Sequence, residues 1–363
     1  MIYGADGIYN SDLFQNAWAI ATLALLSVCM ITAVWAITGV WRSSTNYHRS
    51  GGKATLSVAA KVCVAVAALG FAAQSSQVAP PAIETALLHV GIDTLGSPAA
   101  LSVDGKNLKI NGLITYKVSE RFKTLIDRHP EIKRISLTSL GGRSEAALQI
   151  SSIISKRNLE TVAVGECSSA CTIIFLAGKT RALDVNSVLG FHGPRVLGMS
   201  DLEVRYSSQE VVEAYQAAGL SEAFINHALD TPPSEMWFPS DDILVETGAI
   251  NLFTKAYVKQ NHDEAIEQFK KEAPLKIDEF MSVVSAKRDD INITYTYVIA
   301  AREDEVDWAS MSKRSERDAN ALICGDAISK LMVKSGATYS YLYVDQIGKK
   351  VGVPQIKECK NAL

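Results

Sequence analysis

Gly165-Glu-Cys-Ser-Ser-Ala-Cys-Thr172 decides how the rest of the chain is read. On its left, Thr161-Val-Ala-Val164 is a short apolar, β-branched run; on its right, Ile173-Ile-Phe-Leu-Ala177 is apolar and closed by Gly178. That pattern predicts a buried strand, a tight turn and a buried helix. A serine on such a turn sits beside helical N–H groups that have no intrahelical partner and carry partial positive charge, so an anion formed there is stabilised. Ser169 is placed for chemistry, while Ser168 is the alternative as a helix cap.

Two further stretches follow the same logic. Upstream, Ile135-Ser-Leu-Thr138 alternates like a strand, Ser139-Leu-Gly-Gly142 breaks it, and helical apolar spacing begins at Glu145. Paired glycines at a strand-to-helix turn let bare N–H groups approach a substrate carbonyl. Downstream, Ser187-Val-Leu-Gly-Phe191 is another strand pattern with His192 at its end, before Gly193-Pro194. A histidine there can accept the serine proton and return it to a leaving group. Each piece alone is commonplace; three in this order, each on a turn after a strand, point to acyl chemistry.

With these residues in view, the segment 108–255 resembles the Clp-protease and crotonase superfamily, most closely an envelope branch with a Ser-Ala-Cys core. The resemblance implies an α/β domain of stacked ββα units in a spiral. It implies Ser169 as nucleophile, His192 as base, and N–H groups of Gly141, Gly142 and Ala170 as oxyanion donors. The family's closing motif corresponds to Phe238-Pro-Ser-Asp-Asp-Ile-Leu-Val-Glu-Thr-Gly248-Ala-Ile250. The family's acid falls just before that motif, where this chain has Met236; Glu235 or, alternatively, Asp230 is then the carboxylate that would orient His192. The family includes inactive members, so the expectations are a serine peptidase acting on peptide or protein or, as the alternative, a catalytically silent envelope scaffold. Its members form rings or stacked trimers, which makes a homo-oligomer the expected assembly.

The front of the chain is of another kind. Residues 17–41 carry no charge and have Trp18 and Trp41 near the ends, long enough at ~1.5 Å per residue to cross ~30 Å of hydrocarbon. A polar link, 42–53, carries Arg42, His48, Arg49 and Lys53, and a second apolar segment spans 54–73 with Lys61 near its start. The link's positive charge places it in the cytoplasm, with the 1–16 tail outside and everything after Gln74 in the periplasm of a bacterial inner-membrane protein. The alternative for the second segment is a cleaved signal-like run with Lys61 snorkelling to the interface. Residues 74–107, with Pro80-Pro81, read as a spacer, and 202–229 as a helical excursion over the cleft.

From about Ala256 the chain becomes more polar, and 256–363 reads as a separate small α+β domain. Its strands, Asn292-Ile-Thr-Tyr-Thr-Tyr-Val298 and Thr338-Tyr-Ser-Tyr-Leu-Tyr-Val344, each alternate an aromatic or aliphatic face with a polar one. Ala273-Pro-Leu-Lys-Ile-Asp-Glu279 with Cys324 resembles a module recurrent in bacterial envelope proteins, and that resemblance implies no activity.

Of six cysteines, Cys29 and Cys63 lie in the apolar segments, leaving an even set outside where disulfides persist. Cys324 with Cys359 is the expected bridge; Cys167 with Cys171 is a second, across the serine turn. Of the other histidines, His227 is the rival base, and His89, His129 and His262 read as spacer or helix-surface residues. A net charge of −3 leaves no basic footprint for nucleic acid. With no glycine-rich phosphate loop, paired metal carboxylates or coenzyme signature, no cofactor and no metal is expected.

Overall fold

The computed structural model describes residues 6–89, 92–193, 209–302 and 305–359. The described residues form two compact units, one up to Gly96 and the other from Ser97 onward.

In the first unit α1 (Asp6–Arg49) and α2 (Ala54–His89) run back along one another through a turn at 50–53. Both are long and apolar enough to cross a membrane. Where they meet, Ser44 and Ser57 are buried and exchange hydrogen bonds with each other's carbonyls, at 2.8 and 2.9 Å, so neither hydroxyl is stranded among apolar groups. The outward faces are apolar: Trp35 is 78% and Leu69 72% exposed. The spacer expected from Gln74 is helical as far as His89, with Pro80 and Pro81 inside α2. Proline fixes φ near the helical value, so the pair removes hydrogen bonds from α2 without forcing its backbone out of the helical region, and the alanines and leucines after it are good helix formers.

The second unit opens with β1 (Ala100–Asp104) and β2 (Asn107–Asn111), an antiparallel hairpin turned at Gly105, so the first strand lies inside the segment read as spacer. Next come α3 (Tyr116–Arg128), β3 (Arg134–Ser139), α4 (Ser144–Arg157), β4 (Glu160–Ser168) and α5 (Ala170–Leu176). Apolar residues fall at helical spacing, Val118, Phe122 and Ile126 on α3 and Ala147, Ile150 and Ile154 on α4, and all are buried. β5 (Arg181–Leu183) and β6 (Val188–Gly190) follow, then α6 (Gln209–Ala217), α7 (Glu222–Asp230), α8 (Asp241–Glu246) and β7 (Leu252–Phe253). The sheet order is β1-β2-β3-β4-β5-β7, parallel beyond the hairpin, with β6 also on β4. The helix expected over 202–229 is interrupted at Gly219; its beginning, 202–208, lies outside the described residues.

A second, six-stranded sheet follows α9 (Lys255–Glu272). It contains β8 (Leu275–Lys276), β9 (Met281–Asp289), β10 (Asn292–Ile299), β11 (Tyr339–Val344), β12 (Lys350–Gly352) and β13 (Gln355–Ile356), with α10 (Trp308–Gly325) and α11 (Ala327–Lys334) between β10 and β11. β10 and β11 are parallel, which sets Tyr295 opposite Tyr341 and Tyr297 opposite Tyr343 on one face. This region lies in the same compact unit as the first sheet: one hydrophobic core includes residues of both sheets, and the Phe253 N–H donates to Ser335 Oγ at 2.9 Å. The change in surface composition at 256 marks a more polar exterior and leaves the interior continuous. His262, read as a helix-surface residue, is 2% exposed and meets the Tyr339 hydroxyl at 3.1 Å. Cys324 and Cys359 are disulfide-bonded.

Candidate active site

The site is assembled by an irregularity in β4. Its register on β3 slips between Leu137 and Ser139, so that Val164, Gly165 and Glu166 bulge away from the ladder. Gly165 has φ 77°, and its N–H is held by Ser187 Oγ at 2.8 Å. Before the bulge β4 pairs with β5; after it, Glu166, Cys167 and Ser168 pair with Val188, Leu189 and Gly190 of β6. This change of partner carries the end of β6 to the turn that bears Ser169.

Ser169 is the residue between β4 and α5 and has φ 55° and ψ −126°, a conformation that side chains adopt only when their surroundings impose it. Its N–H donates to the Gly190 carbonyl at 2.8 Å, and its own carbonyl accepts from the Thr172 N–H at 2.9 Å and Oγ1 at 2.7 Å. Thr172 Oγ1 is in turn 2.8 Å from the hydroxyl of Tyr215, whose ring is edge-on to Phe191. Burial raises the Tyr215 phenol to about 12, so it stays protonated and available as a donor at neutral pH. Ser168 is no cap: it is fully buried, and its Oγ donates to Glu166 Oε1 at 2.6 Å.

Gly141 stands directly over the turn. A Cβ there would lie 2.7 Å from Ser169 Cβ and 3.1 Å from the Ala170 nitrogen, and φ is 108°. Gly142 is pressed against Ile114, with only 2.0 Å from an added Cβ to that carbonyl. Both glycines are therefore required by close approach as well as by backbone angle. The expected donors do not all survive: the Gly141 N–H is bound to Ser139 Oγ at 3.0 Å and is thereby withdrawn from any substrate. The N–H groups of Gly142 and Ala170 take no partner among the described residues.

His192 lies two residues beyond Gly190, the acceptor for Ser169. Phe191 and Trp237 exchange backbone hydrogen bonds at 2.8 Å, and the Gly193 N–H donates to the Thr231 carbonyl at 2.8 Å, so the histidine is pinned on both sides. Its Nδ1 is 2.6 Å from the Gly193 carbonyl oxygen. A carbonyl can only accept, so Nδ1 carries a proton, and in the neutral ring Nε2 is the nitrogen with the lone pair; it takes no partner among the described residues. Ser169 Oγ makes no hydrogen bond among the described residues, and none joins it to His192.

Of the expected carboxylates, Glu235 is exposed on the turn that Pro232 begins and Asp230 is exposed at the last residue of α7; among the described residues no hydrogen bond joins either to His192, whose Nδ1 faces the Gly193 carbonyl. At the position where an acid was sought, the side chain of Met236 packs toward Gly190 together with Phe238. The rival base His227 lies against Trp237, with ring centres 4.2 Å apart and the planes tilted by 58°. Pro194 lies outside the described residues. Cys167 and Cys171 are disulfide-bonded around Ser169, their Cα atoms 5.2 Å apart.

Sequence reasoning missed the Gly193 carbonyl and the path from Tyr215 through Thr172 to the turn. A backbone acceptor leaves no mark in a sequence. Only the glycine itself could have hinted at it, since a Cβ at Gly193 would lie 2.3 Å from the Leu229 carbonyl oxygen.

No family model matches this chain, and no curated protein matches it either. Among solved structures it is similar to ClpP1 from Listeria monocytogenes, at 22% identity and a TM-score of 0.36 over 41% of this chain and 91% of that one. It is also similar to 1510-N, a membrane-bound stomatin-specific protease, at 18% identity and a TM-score of 0.34 over 44% of this chain and 82% of that one.

Proposed function

We propose that this protein is a membrane-anchored serine hydrolase, a peptidase, working as a Ser–His pair on the periplasmic side of a bacterial inner membrane. The observation that carries the reading is the backbone of Ser169, held at positive φ between a strand end and a helix start, with the Gly142 and Ala170 N–H groups unpartnered among the described residues. Strain of about 1–3 kcal/mol at a non-glycine residue is retained where a function uses it.

In this reading His192 Nε2 takes the Ser169 hydroxyl proton as Oγ attacks a peptide carbonyl. The Gly142 and Ala170 N–H groups receive the oxyanion, and His192 then returns the proton to the departing amine. The Gly193 carbonyl performs the orienting task of the missing carboxylate. It fixes the tautomer but supplies no full negative charge to the imidazolium, so the pair is a slower catalyst than a complete triad. The scaffold alternative draws support from the same absence of a carboxylate on His192.

The test is labelling of the detergent-solubilised protein with a fluorophosphonate. Wild type is expected to label, and Ser169→Ala and His192→Ala to lose labelling while keeping their folded spectra. An unlabelled, properly folded wild type favours the scaffold.

A further inference from the structure

We infer that the Cys167–Cys171 disulfide is a positioning element for Ser169, holding the turn in its attacking geometry; this rests on the reading of Ser169 as nucleophile. The bridge joins the penultimate residue of β4 to the second residue of α5, with Ser169 midway between its ends. Each of the other restraints acts from one side. The Gly190 carbonyl holds the Ser169 N–H, Thr172 holds its carbonyl, and Gly141 bounds the space above Cβ. Only the disulfide fixes the distance between the incoming strand and the outgoing helix, the distance that a relaxation of φ at Ser169 would change.

The position argues against a purely global role. In the chain-entropy account, a disulfide stabilises a fold more when it closes a longer loop. Cys324–Cys359 spans 35 residues and suits that purpose; Cys167–Cys171 spans four and constrains the unfolded chain less. Both of its cysteines are wholly buried, packed within the core under the turn and away from solvent. A covalent tie of such short span, at the one strained serine, acts on local geometry. Backbone displacement of about 1 Å at a nucleophile can cost roughly 100-fold in rate.

The experiment compares full-length wild type, C167A/C171A and, as control, C324A/C359A, all in detergent. Two readouts are taken: the second-order rate of fluorophosphonate labelling and amide hydrogen exchange over 165–176. C167A/C171A is expected to keep slow exchange in β2 and β3, to exchange faster over 165–176, and to label roughly 100-fold more slowly. C324A/C359A is expected to lose stability yet label at the wild-type rate. Labelling of C167A/C171A within about threefold of wild type, with unchanged exchange over 165–176, overturns the proposal. If wild type does not label, the nucleophile reading fails separately, and the positioning role stands or falls on exchange alone. Should C167A/C171A not fold, the same two measurements are made on C167A/C171V and C167S/C171S, which remove the same bond with other packing, and are read in the same way.

Discussion

In the proposed mechanism His192 serves as a general base only if its proton sits on the nitrogen facing away from the nucleophile, and the group beside Nδ1 is a backbone carbonyl at 2.6 Å. Glu235→Gln and Asp230→Asn are therefore expected to leave the rate of fluorophosphonate labelling within about threefold of wild type. Loss of a true triad carboxylate costs about 10⁴ in turnover, so the two outcomes are far apart, and a large loss in either variant would reinstate that acid. The serine, the histidine and the diglycine loop were legible because each is a residue type on a turn between apolar runs. The orienting group was not, because its chemistry belongs to the peptide bond. Gly141 shows a subtler limit: its glycine character was legible, but the direction of its N–H, toward Ser139 Oγ, depends on a side chain two residues earlier. Its contribution is the room it leaves above Ser169.

Among the elements, periodicity was informative wherever one face is buried. β10 and β11 alternate tyrosine with threonine, serine or leucine and fall where expected, as does α4. β9 was missed because Met281 to Asp289 ends in a charged run, and its pairing with β10 is a tertiary fact. His262 was misjudged for a related reason: α9 is polar on most of its surface, and only the tyrosine sheet buries this ring. Burial, followed by the nearby Arg288 charge, lowers the His262 pKa from 6.5 to about 4. The folded state thus resists a proton that the unfolded chain accepts. Stability should be fully present above about pH 6.5 and decline as the pH falls toward 4, by on the order of 3 kcal/mol. Urea midpoints between pH 7 and pH 4 measure this, and His262→Gln should flatten that part of the profile; an equally steep profile would remove His262 as its cause. The Cys324–Cys359 bridge acts on the same region: C324A/C359A should lower its unfolding free energy by about 3–4 kcal/mol from loop closure. Denaturant melts with and without the bridge give that number, and a change below about 1 kcal/mol would mean that the C-terminal end is held by packing alone.

For the whole chain, disulfides, apolar helices and charge bear on one topology. Cys167–Cys171 and Cys324–Cys359 both belong to the second unit and need an oxidising compartment to persist, while the unpaired Cys29 and Cys63 lie in the two apolar helices. The helices turn back at 50–53, where Arg49 and Lys53 supply positive charge, which in the proposed topology stays in the cytoplasm. Two crossings put the residues after α2 on the same side as the N-terminal tail. With the tail outside, a single crossing would leave both disulfides facing a reducing pool, so in this proposed topology charge and redox agree. A reporter phosphatase that folds only when its own disulfides form should be active when fused after residue 359 and inactive when fused after Gly52. Equal activity at both points, or the reverse pattern, would break the hairpin topology and take the periplasmic placement of Ser169 with it. If the second segment is instead cleaved, the residue-359 fusion stays active but leaves the membrane fraction on carbonate washing, which separates an anchored enzyme from a released one.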